Sequence, residues 1–236
     1  MNGTLPISET FVSIQGEGKL TGVPSWFCRV AGCNLRCRWC DTPYASWSPE
    51  KTMRSVDELI TEAKASGVNH AVLTGGEPMM FEELVQLSHG LAKIGMHMTV
   101  ETAGTLVLAG LSCHLMSISP KLANSTPVDD PRDPDGVWAT RHEQRRINFD
   151  SINELIASTS DRQLKFVVQS PNDLVEIESV LGKIHGYAPS DVMLMPEGVS
   201  VPDPDDIRWV VEACIERGWS YCPRVHVQLF GNRRGT

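Results

Sequence analysis

The chain has no apolar run approaching the roughly 18 residues a membrane crossing requires. Met1 to Glu9 also lack the charged-then-apolar layout of a secretion signal. A cytoplasmic location is the resulting expectation. Basic residues are not in excess: 21 stand against 29 acidic ones, for a net charge of −8. A nucleic-acid backbone is therefore excluded as the main ligand, since it would favour a basic surface. The densest basic stretch, RHEQRR from Arg141 to Arg146, includes a glutamate and reads as a solvated face. No internal repeat and no linker divides the chain, so we expect a single domain over 1–236. The seven cysteines are an odd set, which in a reducing compartment points to free, catalytic or metal-bound thiols rather than disulfides.

What is present is an alternation of short apolar runs with helical patterns. Strands are expected at 26–30, 70–74, 97–101, 114–118, 164–168, 191–195 and 224–229, and helices at 55–66, 80–94, 147–160, 172–184 and 203–217. Ser55 with Glu58 forms a capping box, and Asp203 before Pro204 reads as an N-cap. Such alternation predicts an α/β fold with a parallel sheet and right-handed crossovers. The link from Glu101 to His114 is too short for a long crossover helix. A partial, open TIM-like barrel of about six to seven parallel strands fits better than a closed one. Residues 122–146, rich in Pro and Asp, read as an irregular insertion of the lid or disordered kind.

The chemistry concentrates in AGCNLRCRWCDT, where Cys33, Cys37 and Cys40 fall within eight positions. Structural zinc normally closes with four ligands. Here the fourth is missing locally. Cys28, five residues earlier, lies in a strand pattern whose alternate residues face opposite ways. His70, Cys113, Cys214 and Cys222 are distant in sequence, so only folding could bring one near. Cysteine thiolates also hold iron–sulfur clusters, and three of them leave one iron open to a cofactor or substrate. The missing ligand favours the cluster, with zinc as the alternative.

C-x3-C-x2-C with an aromatic residue before the last cysteine, here Trp39, resembles the radical S-adenosylmethionine enzymes. The resemblance implies a 4Fe-4S cluster on Cys33, Cys37 and Cys40. Its open iron would chelate the amino and carboxylate groups of S-adenosylmethionine, with Trp39, Cys40 and Asp41 beside the cofactor. VLTGGEP resembles that family's GGE motif, which places Gly75, Gly76 and Glu77 at the methionine amino group. SISPK places Ser119, Pro120 and Lys121 near the cofactor's carboxylate and ribose. LMPEG places Met195, Pro196, Glu197 and Gly198 near the adenine. Each also reads as a plain turn when taken alone.

A longer stretch, SIQGEGKLTGVPSWFCRVAGCNLRCRWCDT, closely resembles the 7-carboxy-7-deazaguanine synthase family, and the motif order QGEG, CDT, TGGEP, ET-x-G, SPK spans the chain. The resemblance implies a carbon–nitrogen lyase of 7-deazapurine (queuosine-type) biosynthesis, acting on 6-carboxy-5,6,7,8-tetrahydropterin by radical ring contraction. It also implies an electron donor such as flavodoxin and a homodimer. Period two along WFCRV sends Trp26, Cys28 and Val30 to one face and Phe27 and Arg29 to the other. An inward arginine needs an anion, so Arg29 is the candidate for the substrate carboxylate, or else for a salt bridge to an acid such as Glu101. Ile14, Gln15, Gly16 and Glu17 suit the amino-pyrimidinone edge of a pterin, with Thr74, Glu101 and His226 as further contacts. Family members ligate Mg²⁺ through the threonine that matches Thr42. Ala103 departs from the family's ETNG, and the tail LFGNRRGT runs past the end of some relatives, so no role is carried to Thr236. The rivals are a glycyl-radical activating enzyme, which leaves QGEG unexplained, and a zinc-stabilised binding module.

Overall fold

The computed structural model describes residues 3–236. A run of parallel strands forms its frame: β2 (Pro24–Val30), β4 (His70–Gly75), β5 (His97–Thr102), β6 (Leu115–Ile118), β7 (Asp161–Val168), β8 (Val192–Pro196) and β9 (Ser220–Tyr221). β1 (Thr4–Ile14) lies antiparallel to β2 and to β3 (Thr52–Ser55). The sheet order β3-β1-β2-β4-β5-β6-β7-β8-β9 never closes, so the open-barrel expectation holds. Helices α1 (Pro43–Ser46), α2 (Val56–Ala65), α3 (Glu83–Lys93), α4 (Val137–Arg145), α5 (Phe149–Ser158), α6 (Asp173–Leu181), α7 (Arg208–Arg217) and α8 (Val225–Phe230) complete the chain. Among the described residues, no helix is long and apolar enough to cross a membrane.

Alternation within the strands separates the core from the cavity. Trp26, Cys28, Val30, Leu73, Met98, Val100, Leu164, Phe166 and Val168 are buried together against the helices. Their neighbours Phe27, Arg29, Thr74, Glu101, Lys165 and Val167 face the other way, into a cavity. The capping box is present: the Ser55 hydroxyl accepts from Glu58 N at 3.3 Å, and the Glu58 carboxylate accepts from Ser55 N at 2.8 Å.

Four expectations change. Residues 224–229 alternate like a strand, but the sheet ends at the two-residue β9 and the segment coils into α8, burying Val227. The Asp203 carboxylate accepts from Asp205 N at 2.9 Å in a turn, and α7 starts only at Arg208. The 80–94 pattern divides into a 3-10 turn, Pro78–Met80, and α3. The 122–146 insertion is not structureless, since it contains another 3-10 turn, Ala123–Ser125, and the whole of α4. β1 escapes periodicity because its register shifts between Ile7 and Glu9, a bulge that reverses which residues face the cavity.

The strands' amino ends carry a histidine row away from the cavity. The rings of His70 and His97 lie 5.4 Å apart, and those of His97 and His114 lie 4.7 Å apart. His70 is therefore no cluster ligand. The Ser25 hydroxyl donates to Val23 O at 2.8 Å, so it accepts from His70 Nδ1 at 2.7 Å, and Thr99 Oγ1 donates to Nε2 at 2.9 Å. These assignments fix a neutral ring. Burial, with His97 and His114 adding to it, pushes His70 down to about 4. Below pH 6.5 the unfolded chain gains a proton that the folded chain refuses, so this stability is present above 6.5 and is lost as pH falls towards 4. The loss is on the order of 3 kcal/mol at full extent. His70→Gln should flatten thermal melting over this window, and a slope equal to wild type would contradict the assignment.

Candidate functional site

The carboxyl ends of the parallel strands surround a cavity of about 520 Å³, within the range of small-molecule sites. Parallel sheets bind ligands at this end.

The loop after β2 brings Cys33, Cys37 and Cys40 to one side of the cavity. Cys33 Sγ accepts from Leu35 N at 3.4 Å, and Cys40 Sγ lies 3.2 Å from Ser46 Oγ. Burial pushes the Cys33 thiol up to about 12, helped by the nearby Glu77 carboxylate. Cys37 is raised too, by burial, with Lys121 pulling the other way. Cys28 and Cys214 lie in the core, Cys113 packs against it, and Cys222 is buried with Met193 and Met195. Three thiols thus reach the cavity wall without a fourth. Among the described residues, no three His, Cys, Asp or Glu side chains converge tightly enough for a single metal ion. Three thiols without a fourth are the donor set of an iron–sulfur cluster with one open iron, whereas structural zinc closes with four ligands.

Gly75 and Gly76 line the cavity at the end of β4. Gly76 has no room for a side chain: an added Cβ would lie 2.0 Å from Gly32 O. The GG pair therefore seats the strand end against the base of the cysteine loop, a need beyond close approach to a ligand. Glu77 is corrected. Its side chain is 0% exposed and accepts from Thr102 Oγ1 at 2.8 Å, Ala103 N at 2.9 Å and Met79 N at 3.0 Å. The carboxylate ties the ends of β4 and β5 together and does not line the cavity. Burial raises it, partly offset by these bonds.

Ser119 and Lys121 line the cavity, with Lys121 Nζ donating to Ser119 Oγ at 2.7 Å; Pro120 does not reach it. Trp39 and Asp41 also line it, and Lys121 Nζ lies 5.6 Å from the Trp39 ring. Met195 reaches the cavity, but Pro196, Glu197 and Gly198 turn into a separate recess of about 20 Å³. Glu197 N there donates to Val168 O at 2.9 Å. Thr42 lines the main cavity at the start of α1, its hydroxyl 3.8 Å from Cys40 Sγ.

Ile14, Gln15, Gly16, Glu17, Arg29, Thr74, Glu101 and His226 all come to this cavity. Gly16 sits against His226, whose Nδ1 an added Cβ would meet at 2.0 Å. Glu101 accepts from Gln15 Nε2 at 3.1 Å and Thr74 Oγ1 at 2.9 Å. Arg29 pairs not with Glu101 but with Glu9, Nε to Oε1 at 2.8 Å, across the β1–β2 register set by the bulge. Glu9 also accepts from Tyr44 Oη at 2.8 Å and Arg234 Nε at 3.1 Å.

Sequence reasoning missed Phe11, Lys165, Arg224 and the Asn232–Thr236 tail, which line the cavity, and Glu9, which pairs with the cavity residue Arg29. Phe11 and Phe27 lie with ring centroids 4.8 Å apart on the cavity wall, and the tail lines the cavity too. Lys165 left a signal, a single charge in the apolar run LKFVV. Its ammonium donates to Glu17, whose other oxygen is 3.5 Å from Arg224 Nε. Burial alone would raise Glu17, but Lys165 and Arg224 outweigh it and hold the carboxyl at about 2.

The Radical SAM superfamily signature matches residues 28–143, the span from β2 through the cysteine loop, GGEP and SPK into α4. Together with the three-thiol wall this makes the chain a radical S-adenosylmethionine enzyme. The 7-carboxy-7-deazaguanine synthase of Rhodopirellula baltica is 48% identical across 99% of this chain and 89% of its own length. That of Halobacterium salinarum is 46% identical across 98% and 93%. The crystal structure of QueE from Escherichia coli superposes with a TM-score of 0.70 at 24% identity, covering 94% of this chain and 95% of that one. The chain belongs to the 7-carboxy-7-deazaguanine synthase family, which removes the glycyl-radical activating rival.

Proposed function

We propose that this enzyme converts 6-carboxy-5,6,7,8-tetrahydropterin into 7-carboxy-7-deazaguanine, releasing ammonia. The observation that carries the reading is 48% identity over 99% of the chain to a relative bearing that product's name. The cavity's chemistry suits such a substrate. Arg29 engages Glu9 through Nε, which leaves its two terminal nitrogens for a forked pair with the pterin carboxylate. Glu17, ionised throughout the neutral range, and Glu101, oriented by Gln15 and Thr74, are acceptors for the amino-pyrimidinone N–H groups. The Phe11–Phe27 pair offers an apolar wall for a flat ring.

Cys33, Cys37 and Cys40 would hold the cluster. The Gly75–Gly76 backbone, Ser119 and Lys121 would receive the methionine end of S-adenosylmethionine. Bound together, cluster and cofactor supply one-electron hydrogen abstraction from the substrate. Thr42 offers a hydroxyl for Mg²⁺, which takes oxygen ligands and keeps several waters. A flavodoxin-type donor, a homodimer and a cytoplasmic setting complete the proposal.

The test is anaerobic reconstitution, reduction and incubation with the carboxypterin and S-adenosylmethionine. A deazapurine with the expected mass and absorbance should accumulate, faster with Mg²⁺, and Thr42→Ala should lose that metal response. An iron-loaded chain that yields no deazapurine would end the proposal.

A further inference from the structure

Segment 122–146 lies against the cysteine loop and holds a histidine with no exposure. His142, on α4, is 0% exposed, and its Nδ1 lies 3.1 Å from the backbone N of Arg36, between Cys33 and Cys37. A backbone N–H can only donate, so Nδ1 accepts and the neutral ring carries its proton on Nε2. Nε2 then donates to Ser125 Oγ at 2.8 Å, and that hydroxyl donates to Leu122 O at 2.6 Å. An unbroken relay of three hydrogen bonds runs from the middle of the cysteine motif into the insertion, with every group satisfied.

Neighbouring contacts act on the same few loop positions. Ser125 O accepts from Arg38 N at 2.9 Å, and Asn124 O accepts from Trp39 Nε1 at 3.1 Å. The Arg36 guanidinium lies 4.1 Å from the Trp138 ring, while its Nη1 donates to Cys33 O and Leu35 O, both at 2.7 Å. Arg132 Nη2 donates to Arg38 O at 2.8 Å. Positions 36, 38 and 39, three of the five between the ligands, are thus held from outside the loop. Between Cys33 and Cys40 the loop's own backbone bonding among the described residues is one contact, Cys40 N to Cys37 O at 3.3 Å.

We infer that the 122–146 insertion is a clamp on the cysteine loop and that His142 is its positioning residue, fixing the spacing at which the three thiolates meet iron. The inference rests on the reading of Cys33, Cys37 and Cys40 as cluster ligands. Groups that orient metal ligands are worth roughly 10- to 100-fold in metal retention, and the clamp belongs in that range. A histidine that merely filled space would affect folding without favouring one ring position over the other.

The two ring nitrogens can be replaced separately. In His142→Asn, Oδ1 stands where Nδ1 was and can still accept from Arg36 N. In His142→Gln, the amide reaches towards Ser125 and the near acceptor is lost. Full-length wild type, His142→Ala, His142→Asn and His142→Gln are reconstituted anaerobically. Iron and sulfide per chain are measured, then the rate of iron release to a ferrous chelator, alongside apo-protein melting. The expected result is about tenfold faster release from Ala and Gln than from wild type, with Asn clearly slower than Gln at matched apo melting. Equal release from all four chains overturns the clamp, and so does Asn releasing as fast as Gln. If Ala does not fold, the Asn–Gln contrast decides alone. A wild-type chain that takes up no iron overturns the cluster reading itself, and the clamp with it.

Discussion

Lys165→Met is expected to lower the stability of the apo chain by about 3 kcal/mol, the lower end of what breaking a buried ion pair costs. It should also cut kcat/KM by about a hundredfold, equivalent to ~2.7 kcal/mol of transition-state stabilisation. Lys165 is 6% exposed and is bonded to Glu17. Removing the ammonium leaves a buried carboxylate with Arg224, whose Nε is 3.5 Å from Oε1, and the smaller influence of His226. Burial, already the largest influence on Glu17, then dominates, and its pKa climbs from about 2. In wild type, the stability supplied by the depressed carboxyl is present above pH 4.5 and is lost as pH falls through about 2; in the variant burial reverses the sign, so the ionised carboxylate costs stability at neutral pH and acidification relieves that cost. A protonated Glu17 is a donor on one oxygen and no longer suits the N–H edge of a pterin. Denaturant unfolding at neutral pH measures the first effect and steady-state kinetics the second. Glu17→Gln combined with Lys165→Met removes both charges and should recover much of the stability without the activity. If single and double variants are equally unstable, the pair is not the energetic unit argued here.

The parts of this site that were legible share a local signature. Cys33, Cys37 and Cys40 are close in sequence, and β2 alternates cleanly, so Phe27 and Arg29 could be assigned to the cavity face from periodicity alone. Glu9 was illegible because the β1 bulge, between Ile7 and Glu9, breaks the alternation that would have revealed it. Its effect is large, for it turns the expected Arg29–Glu101 alternative into an Arg29–Glu9 pair. Arg224 and the tail come to the cavity only because α8 coils where the pattern suggested a strand, and Val225 N bonds Gly16 O at 2.9 Å. That contact spans nearly the whole chain, which no window of neighbouring residues can report. The orientation of Glu77 was illegible for another reason. The motif placed it at the right strand end, but Thr102 and two backbone N–H groups, from Met79 and Ala103, satisfied its carboxylate first. Proximity to a site is local in sequence; which way a side chain turns depends on partners brought by other strands.

Gly76→Ala gives the second large effect. A Cβ there would sit 2.0 Å from Gly32 O, 2.5 Å from Gly32 C and 2.8 Å from Ala45 O. All three are backbone atoms, so no side chain can swing away to relieve them. Gly32 N donates to Ala45 O at 2.7 Å, and Glu77 N donates to Gly32 O at 2.8 Å. Moving Gly32 therefore strains two backbone bonds and displaces Cys33, its immediate neighbour. Destabilisation of about 3 kcal/mol, at the upper end for overpacking, is the expected result, with reconstituted iron falling well below that of wild type. Gly95→Ala is the control: its φ of +82° is unfavourable for alanine, but nothing lies within 4 Å of an added Cβ. That variant should lose only the 1–2 kcal/mol typical of a left-handed residue and should retain its iron. Activity alone cannot separate a lost cofactor contact from a displaced cysteine loop, since both end turnover. Iron retention can, because only the displaced loop reduces metal binding before any S-adenosylmethionine is added. Equal iron in the two variants would mean that Gly76 serves the cofactor and not the loop.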